Sequence, residues 1–308
     1  ATATEQDREA AKLSLIASLC QLYFQHAYIE ERITTTQANL ATSQQLDRII
    51  RVRHREGAVS GIEVANAAQS VASQHSTLAD LQQQKVETRN AISLLIQQPF
   101  AVTSGPTRLS TTALPAIPAE LPTSVLSRRP DLKAAEMRLQ KTLANSDATR
   151  ASYYPSISLT GGLGFSSSSL GKLLRNPVAS LGAGISLPFL QYRQMQRAIA
   201  ISELDYEAAI TSFRKSLYQA LVDVDNALSA RQQLLKQVES AQTTLTQSQK
   251  AERLTRIRYQ NGAIDLQTLL NAEQSRRQAE ATLIQLKQQQ LTNAVTLLQS
   301  LGGSAKTS

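Results

Sequence analysis

Apolar residues recur along most of the chain at the spacing of an α-helix that packs against a partner. From Val64 to Leu95, apolar or small residues fill two positions of a seven-residue repeat, with a few polar interruptions. Such a seam is typical of antiparallel coiled-coil packing. All nine prolines and seven of the twelve glycines lie within residues 99–188, so helix breakers are rare elsewhere. The breaker-free stretches, each predicted to be a long helix, are 1–56, 62–98, 189–261 and 263–301.

Two segments of the chain match each other at a constant offset, which indicates an internal duplication. Residues 48–70 and 253–275 share nine identical positions of 23, including a Gly-Ala turn and an Asn-Ala-x-Gln-Ser sequence. Chance similarity of two Ala- and Gln-rich helices is the alternative, and the shared turn disfavours it. Gly57 and Gly262 stand where a helix C-terminus requires a positive φ. Each copy is therefore predicted to be a helical hairpin with antiparallel neighbouring helices.

Between the two copies the hydrophobic spacing changes from helical to alternating. After Pro155, apolar residues alternate with Ser, Thr and Gly, which predicts a β-hairpin spanning 155–189. Such a hairpin suits either one face of a soluble sheet or a transmembrane β-barrel whose apolar face meets lipid. The sequence predicts no further strand, and a lone hairpin is unstable, so a barrel with strands from other chains is favoured. Aromatic residues at its base are Tyr153, Tyr154, Phe189 and Tyr192. The residues predicted to face the membrane are Ile157, Leu159, Leu163, Phe165, Leu181, Ile185 and Leu187.

Composition narrows the classes of protein further. Aromatic residues make up only 4% of the chain and Trp is absent, which disfavours a thick globular core. Cys20 is the only cysteine, which excludes an intramolecular disulfide framework and a multi-cysteine metal cluster. No apolar run approaches the roughly 18 residues of a membrane-spanning helix. The first residues show neither the basic start nor the apolar stretch of a signal peptide.

No catalytic or metal-binding constellation is apparent in the sequence. His26, His54 and His75 are scattered and lack the spacing of metal ligands, so packing or surface roles are favoured. The formal charge of +8 is spread along the helices and is densest over residues 48–55. Nucleic-acid binding is disfavoured because the aromatic residues Tyr23, Phe24 and Tyr28 lie far from these arginines along the predicted helix. A solvated face or a contact with a protein partner remain as interpretations, and neither an enzyme nor a cofactor is predicted.

Three motifs carry a resemblance to a known family. They are Leu121–Leu132 followed by Ala134-Ala135-Glu136, then Tyr154–Gly161, and Arg258-Tyr259 followed by Gly262. They resemble the signature of TolC-type outer-membrane efflux channels, in the lipoprotein branch of the outer-membrane factors of tripartite pumps. The resemblance implies a homotrimer in the bacterial outer membrane, with its helices in the periplasm. It also implies a passive duct for drugs or other small toxic molecules. A periplasmic adaptor protein, an inner-membrane transporter and outer-membrane lipid would be its partners.

The resemblance implies a fold and a division of the chain. The fold would be mainly α, with long antiparallel helical hairpins and one transmembrane β-hairpin that contributes to a trimeric β-barrel. Residues 1–98 would be the later part of a first repeat, with its tip at 57–61, and 99–129 a connecting equatorial segment. Residues 130–303 would be the second repeat, with its tip at 261–265, and 304–308 a tail.

The resemblance also implies two kinds of site. The hairpin tips would dock the adaptor, through Gly57, Ala58, Val59, Ser60, Gly262, Ala263, Ile264 and Asp265. A periplasmic gate would lie just after the second tip, where the family often carries a ring of Asp residues. The corresponding positions are Thr268 and Asn271, which can narrow a pore and form hydrogen bonds but carry no charge.

The sequence departs from the family pattern in its leading segment. A lipid-modified N-terminal Cys, a first helix and a first β-hairpin have no counterpart in these 308 residues. Cys20 does not replace the lipidated residue, because it lies within a predicted helix, where packing is the expected role. Three copies would offer six strands rather than twelve. The alternatives to a working channel are therefore a truncated, inactive relative and a structural coiled-coil protein.

Overall fold

The computed structural model describes residues 2–98, 109, 128–165 and 177–303, and long helices dominate it. The elements are α1 (Thr2–Arg55), α2 (Gly61–Ile96), α3 (Pro130–Ala151), β1 (Ser156–Phe165), β2 (Pro177–Ser186), α4 (Tyr192–Gln260) and α5 (Leu266–Ser300), with a 3₁₀ turn at Pro188–Leu190. The four predicted helical stretches are confirmed as α1, α2, α4 and α5. The predicted tail (304–308) and nearly all of the predicted connecting segment (99–129) lie outside the described residues.

Packing divides the chain into two units. The hairpin unit contains Ala1–Asp7 and Asp131–Gln219, and the bundle unit contains Arg8–Pro130 and Ala220–Ser308. The predicted division followed the duplication of the sequence, whereas these units follow which segments pack together.

In the bundle unit the core is distributed along the helices in small clusters. The buried residues of α2 all occupy the two seam positions that the sequence predicts, which confirms the seam. They are Ala67, Gln74, Leu81, Thr88 and Ile92. Complete burial of an aliphatic side chain such as Ile50 or Leu266 contributes roughly 1.5–3 kcal/mol. Many such single-layer contacts, rather than one thick core, hold these helices together.

In the hairpin unit, β1 and β2 pair antiparallel in a register that runs from Ser156 opposite Ser186 to Phe165 opposite Pro177. Because side chains alternate along a strand, this register separates two faces. On one face Ile157 pairs with Ile185 and Leu163 with Ala179, whereas the other face carries only Ser, Thr, Gly and Val178. The predicted alternation is therefore confirmed on both strands.

The predicted β-hairpin (155–189) extends past the end of β2, to Leu187 and Phe189. Leu187 was expected to continue the apolar alternation of the second strand, but β2 ends at Ser186. The reason is Pro188, which has no backbone N–H to donate to a ladder and which begins the 3₁₀ turn. The alternation thus extends further along the sequence than the strand does.

Candidate functional site

The two helical turns predicted to be tips have the same backbone structure. Gly57 has a φ of +73°, its N–H donates to the His54 carbonyl at 3.0 Å, and the Ala58 N–H donates to the Arg53 carbonyl at 2.8 Å. Gly262 also has a φ of +73°, and the matching donations, to the Tyr259 and Arg258 carbonyls, are both 2.9 Å. Glycine suits this position because it lacks the Cβ that makes a positive φ costly. The predicted positive φ is confirmed at both glycines.

The helix that follows each turn begins with a side-chain cap at the same place in the repeat. Ser60 accepts a hydrogen bond from the Glu63 backbone N–H, and the Glu63 carboxylate accepts one from the Ser60 N–H, which is a capping box. In the second copy, Asp265 accepts from both the backbone N–H and the hydroxyl of Thr268. These two hydrogen bonds, the hydroxyl's above all, hold the pKa of Asp265 below its usual value. Asp265 therefore remains an anion in mildly acidic solution.

The eight predicted docking residues do not all reach the surface. Val59 and Ile264 are half-buried and pack on a cluster of buried residues beneath the two turns. The other six residues are exposed. The cluster consists of Ile50, Ala67, Tyr259, Leu266, Leu269 and Leu270. Val59 and Ile264 thus anchor the turns, and the remaining six form the exposed surface of the tips.

A link between the two hairpins close to the tips was not predicted. Arg53 of α1 donates to the Tyr259 hydroxyl of α4 at 3.4 Å, and its guanidinium lies 5.9 Å from the centre of that ring. This distance permits a cation–π attraction. Both residues lay within the matched segments of the sequence, but only the packing of α1 beside α4 shows that they meet.

The predicted gate residues lie on the exposed surface of α5. Asn271 accepts a hydrogen bond from the Gln267 amide at 3.0 Å, and Gln267 in turn accepts one from Asn66 of α2 at 3.1 Å. The Thr268 hydroxyl is occupied by Asp265. Both side chains are therefore polar, exposed and held by hydrogen bonds within this chain.

A cluster of six charged residues between α4 and α5 was also not predicted. Arg256 contacts Glu252 at 2.6 Å and Glu273 at 3.0 Å. Arg276 lies 2.5 Å from Glu252 and 2.8 Å from Glu280. We call the set Glu252, Arg256, Glu273, Arg276, Arg277 and Glu280 the charged cluster. Its charges balance, and Asn39 of α1 accepts a further hydrogen bond from Arg276 at 2.6 Å.

Burial dominates the electrostatics of the charged cluster. The Glu273 carboxylate is almost wholly buried and lies 3.3 Å from Arg277. Burial raises the pKa of Glu273, although Arg256 and Arg277 pull it down. Burial likewise lowers the pKa of Arg277, against the attraction of Glu273. Both directions indicate that desolvation outweighs ion pairing here.

The apolar face of the β-hairpin is exposed to an unusual degree. Leu163 is 93% exposed, and Ile157 and Leu181 are each 80% exposed. Leu159 and Ile185 are exposed as well, whereas the side chain of Phe165 lies outside the described part of the chain. Contiguous apolar patches of this kind mark a surface that contacts lipid or another chain.

The opposite face of the β-hairpin carries small side chains, nearly all of them polar or glycine. Gly162 pairs with Ser180, Gly184 with Ser158, and Gly182 with Thr160. Each pair thus joins a glycine to a small hydroxyl residue. At Gly162 an added Cβ would come within 2.9 Å of the Ser180 hydroxyl oxygen. The geometry therefore keeps this face free of bulk.

The three histidines lie in separate environments. His26 is buried 3.8 Å from Glu30, His54 lies 2.8 Å from the Val59 carbonyl, and His75 lies 3.4 Å from Gln44. Burial lowers the pKa of His26. In the part of the chain that the structure describes, no three His, Cys, Asp or Glu side chains are grouped to hold a metal. Among the helices described, none combines the length and the apolar character needed to span a membrane.

Comparison with known proteins agrees with this geometry. Residues 1–96 and 121–303 match the model of the outer membrane efflux protein family. The chain is 32% identical to the toxin and drug export protein A of Aggregatibacter actinomycetemcomitans over 289 residues, which covers 92% of this chain and 63% of that protein. It is 30% identical to the pyoverdine export outer membrane protein OpmQ of Pseudomonas aeruginosa, covering 98% of this chain and 64% of that protein.

A solved structure supports the same conclusion. The open state of the MtrE outer membrane channel of Neisseria gonorrhoeae superposes with a TM-score of 0.89 at 32% identity. The match covers 99% of this chain and 69% of that one. The chain thus spans about two thirds of the length of the relatives that it matches. These matches make the chain a member of the outer membrane efflux protein family, located in the bacterial outer membrane with its helical part in the periplasm.

Proposed function

We propose that the chain forms the channel of a tripartite efflux pump, a passive trimeric duct that exports drugs or other small toxic molecules. The observation that carries this proposal is the β-hairpin, whose apolar face is exposed and whose other face is thin and polar. Lipid would cover the first face, and the second would line an aqueous lumen. The names of the toxin, drug and pyoverdine exporters support an export function and differ in cargo.

Closure of the barrel requires strands from other chains. The described sheet has two strands, and each leaves one edge of its backbone without a ladder partner. In the twelve-stranded ring that the resemblance implies, three copies of this hairpin would supply six strands, and pairing of every strand edge would satisfy the backbone groups inside a bilayer. The same trimer would bring three copies of Thr268 and Asn271 together as polar rings.

The tips complete the proposed assembly. Their six exposed residues would dock a periplasmic adaptor, which would connect the channel to an inner-membrane transporter. The identical backbone of the two tips supports this role, since a partner would meet the same shape twice in each protomer. The division of the chain into repeats joined by 99–129 belongs to the same proposal. The transport is driven by the partners, and the channel itself catalyses no reaction.

Two substitutions on neighbouring positions of the hairpin test the membrane assignment. Leu181→Arg places a charge on the apolar face and Thr160→Arg places the same charge on the polar face. A charge against lipid costs about 2–4 kcal/mol near the bilayer centre, so Leu181→Arg should abolish recovery of trimers from outer membranes. Thr160→Arg should assemble and reduce dye export. Equal recovery of both variants would contradict the proposal.

Single-channel recordings on a complete twelve-stranded channel that contains this α5 test the gate. Asn271 cannot titrate, and Asp265 stays ionised because its pKa is lowered. Conductance should therefore respond weakly between about pH 4 and 7, where an ordinary carboxylate ring titrates. Asn271→Asp should add a pH response and raise cation selectivity. A strong acid-side transition in the unmodified channel, or unchanged selectivity in the variant, would place Asn271 away from the constriction.

A further inference from the structure

The base of the β-hairpin combines exposed apolar side chains with unpaired positive charge. The pairing of Ser156 with Ser186 places the residues that flank the strands at one end of the hairpin. Four large side chains are exposed there: Tyr154, Phe189, Leu190 and Tyr192. Tyr154 and Leu190 are each 72% exposed. The apolar surface of the strands therefore continues into an aromatic border.

The charged residues of this region are all positive. Residues 148–202 contain five Arg or Lys and no Asp or Glu, in a chain with 24 acidic residues. Two of the five, Arg193 and Arg197, lie one turn apart at the start of α4 and are exposed. Neither forms an ion pair with any residue that the structure describes. Glu203, the first acidic residue after this segment, forms an ion pair with Arg150 at 2.6 Å.

Helix stability does not explain these two arginines. The first turn of a helix favours negative charge, and α4 has no acidic residue there to balance them. Their positions beside exposed Tyr and Leu side chains instead match the border between a bilayer and water. Aromatic rings collect at the headgroup level, and Arg side chains there attract anionic lipid.

We propose that the hairpin base, defined as Tyr154, Phe189, Leu190, Tyr192, Arg193 and Arg197, binds the headgroups of anionic phospholipids in the periplasmic leaflet. The inference rests on the proposed function, because that function places the apolar strand face in lipid. A free phosphate would be held only by two solvated guanidinium groups, and salt would screen their attraction for it. A bilayer holds the apolar face in place and keeps a layer of phosphates beside both arginines.

Vesicle flotation of the full 308-residue chain tests the proposal. The chain is mixed with vesicles of phosphatidylcholine alone, or of phosphatidylcholine with phosphatidylglycerol, at low and high salt. The double variant Arg193→Gln with Arg197→Gln is compared with Arg214→Gln with Lys215→Gln. The second pair removes the same charge from exposed positions about 25–30 Å further along α4.

We expect the unmodified chain to bind the anionic vesicles about thirtyfold more tightly at low salt, with little preference at high salt. The Arg193 and Arg197 variant should lose that preference and keep its binding to phosphatidylcholine, whereas the control pair should keep both. No preference in the unmodified chain, equal loss in the control pair, or competition by soluble glycerol phosphate would each overturn the inference alone. Binding to neither kind of vesicle would overturn the proposed function with it.

Discussion

The two helical hairpins share their turns but differ in what lies between their helices. Glu252 and Arg256 of the second hairpin form a 2.6 Å pair, and Asp47 and Arg51, at the matching positions of the first, form a 2.8 Å pair. Beyond that pair the copies diverge. Glu273, Arg276, Arg277 and Glu280 of α5 correspond to Ala68, Val71, Ala72 and His75 of α2.

This comparison distinguishes features that depend on local sequence from features that depend on packing between helices. The turn depends on one positive φ and one cap, so the two copies agree there. The contacts between the two helices of a hairpin depend on the side chains of the facing helix. In these contacts the second copy buries charged residues that the first copy lacks. Burial is the largest cause of the pKa shifts of Glu273 and Arg277, so we expect these charges to favour one pairing of α4 with α5 rather than to add stability.

The largest effect should come from breaking the charged cluster on one side. Arg277→Ala leaves the buried Glu273 without one of its two arginines, and we expect a loss of about 3 kcal/mol in the free energy of unfolding by urea. Arg253→Ala removes the same side chain from an exposed position of α4 and should cost less than about 0.5 kcal/mol. Equal costs would show that the buried charge of Glu273 does not depend on Arg277.

The next experiment transplants the first hairpin's residues into the second. The combined variant Glu273→Ala, Arg276→Val, Arg277→Ala and Glu280→His makes α5 match α2 at these four positions. The variant leaves Glu252 and Arg256 as a pair and removes the buried Glu273 and Arg277 together. Replacing buried ion pairs by uncharged residues is often neutral or stabilising, so we expect stability between that of the unmodified chain and about 2 kcal/mol above it. A loss comparable with that of Arg277→Ala alone would show that the cluster is a net stabiliser.

The turns should respond equally in the two copies. Gly57→Ala and Gly262→Ala each force an alanine into a positive φ, and neither new Cβ meets an atom within 4 Å. Each substitution should cost about 1–2 kcal/mol through backbone strain alone. Gly61→Ala, at an exposed helix start without a positive φ, is the matched control and should cost nothing. Unequal costs at Gly57 and Gly262 would mean that the turns differ in ways that their backbones do not show.

Most elements of the fold could be predicted from sequence because each has a local signal. The breaker-free stretches predict α1, α2, α4 and α5, the seam of α2 predicts its buried residues, and alternation predicts both strands. The helix α3 was not among the predicted stretches, because it begins at Pro130 inside the part of the sequence that holds the prolines. Gly57 and Gly262 predict the turns because few residues tolerate a positive φ. The error at Leu187 came from extending a periodicity past Pro188, where backbone chemistry ends the ladder.

The contacts of the candidate site could be predicted less well because they depend on helices that are distant in sequence. Glu252 and Arg276 each look like an ordinary solvated charge on a helix, and only the packing of α4 against α5 joins them. The same holds for Arg53 and Tyr259. Val59 and Ile264 could have been recognised as anchors, since each is the single large apolar residue in a tip that otherwise contains small or polar residues.

The smallest effect, and the most specific, is the pH dependence that Glu273 gives the second hairpin. Its pKa is higher in the folded chain than when unfolded, first because of burial and despite Arg256 and Arg277. A proton therefore favours the folded state. The contribution of Glu273 to stability is complete below the unfolded pKa of a glutamate, about 4.3, and is lost as pH rises through the folded pKa. Glu252, Arg256, Arg276 and Arg277 are the charged groups around it.

Glu273→Gln imitates the protonated form, so it should match the unmodified chain near pH 4 and become the more stable of the two toward pH 8. Urea unfolding across that range measures the difference, and the transplanted variant, which lacks Glu273, should show the same flat profile as Glu273→Gln. A Gln variant that loses stability relative to the unmodified chain as pH rises would show that attraction, rather than burial, governs Glu273.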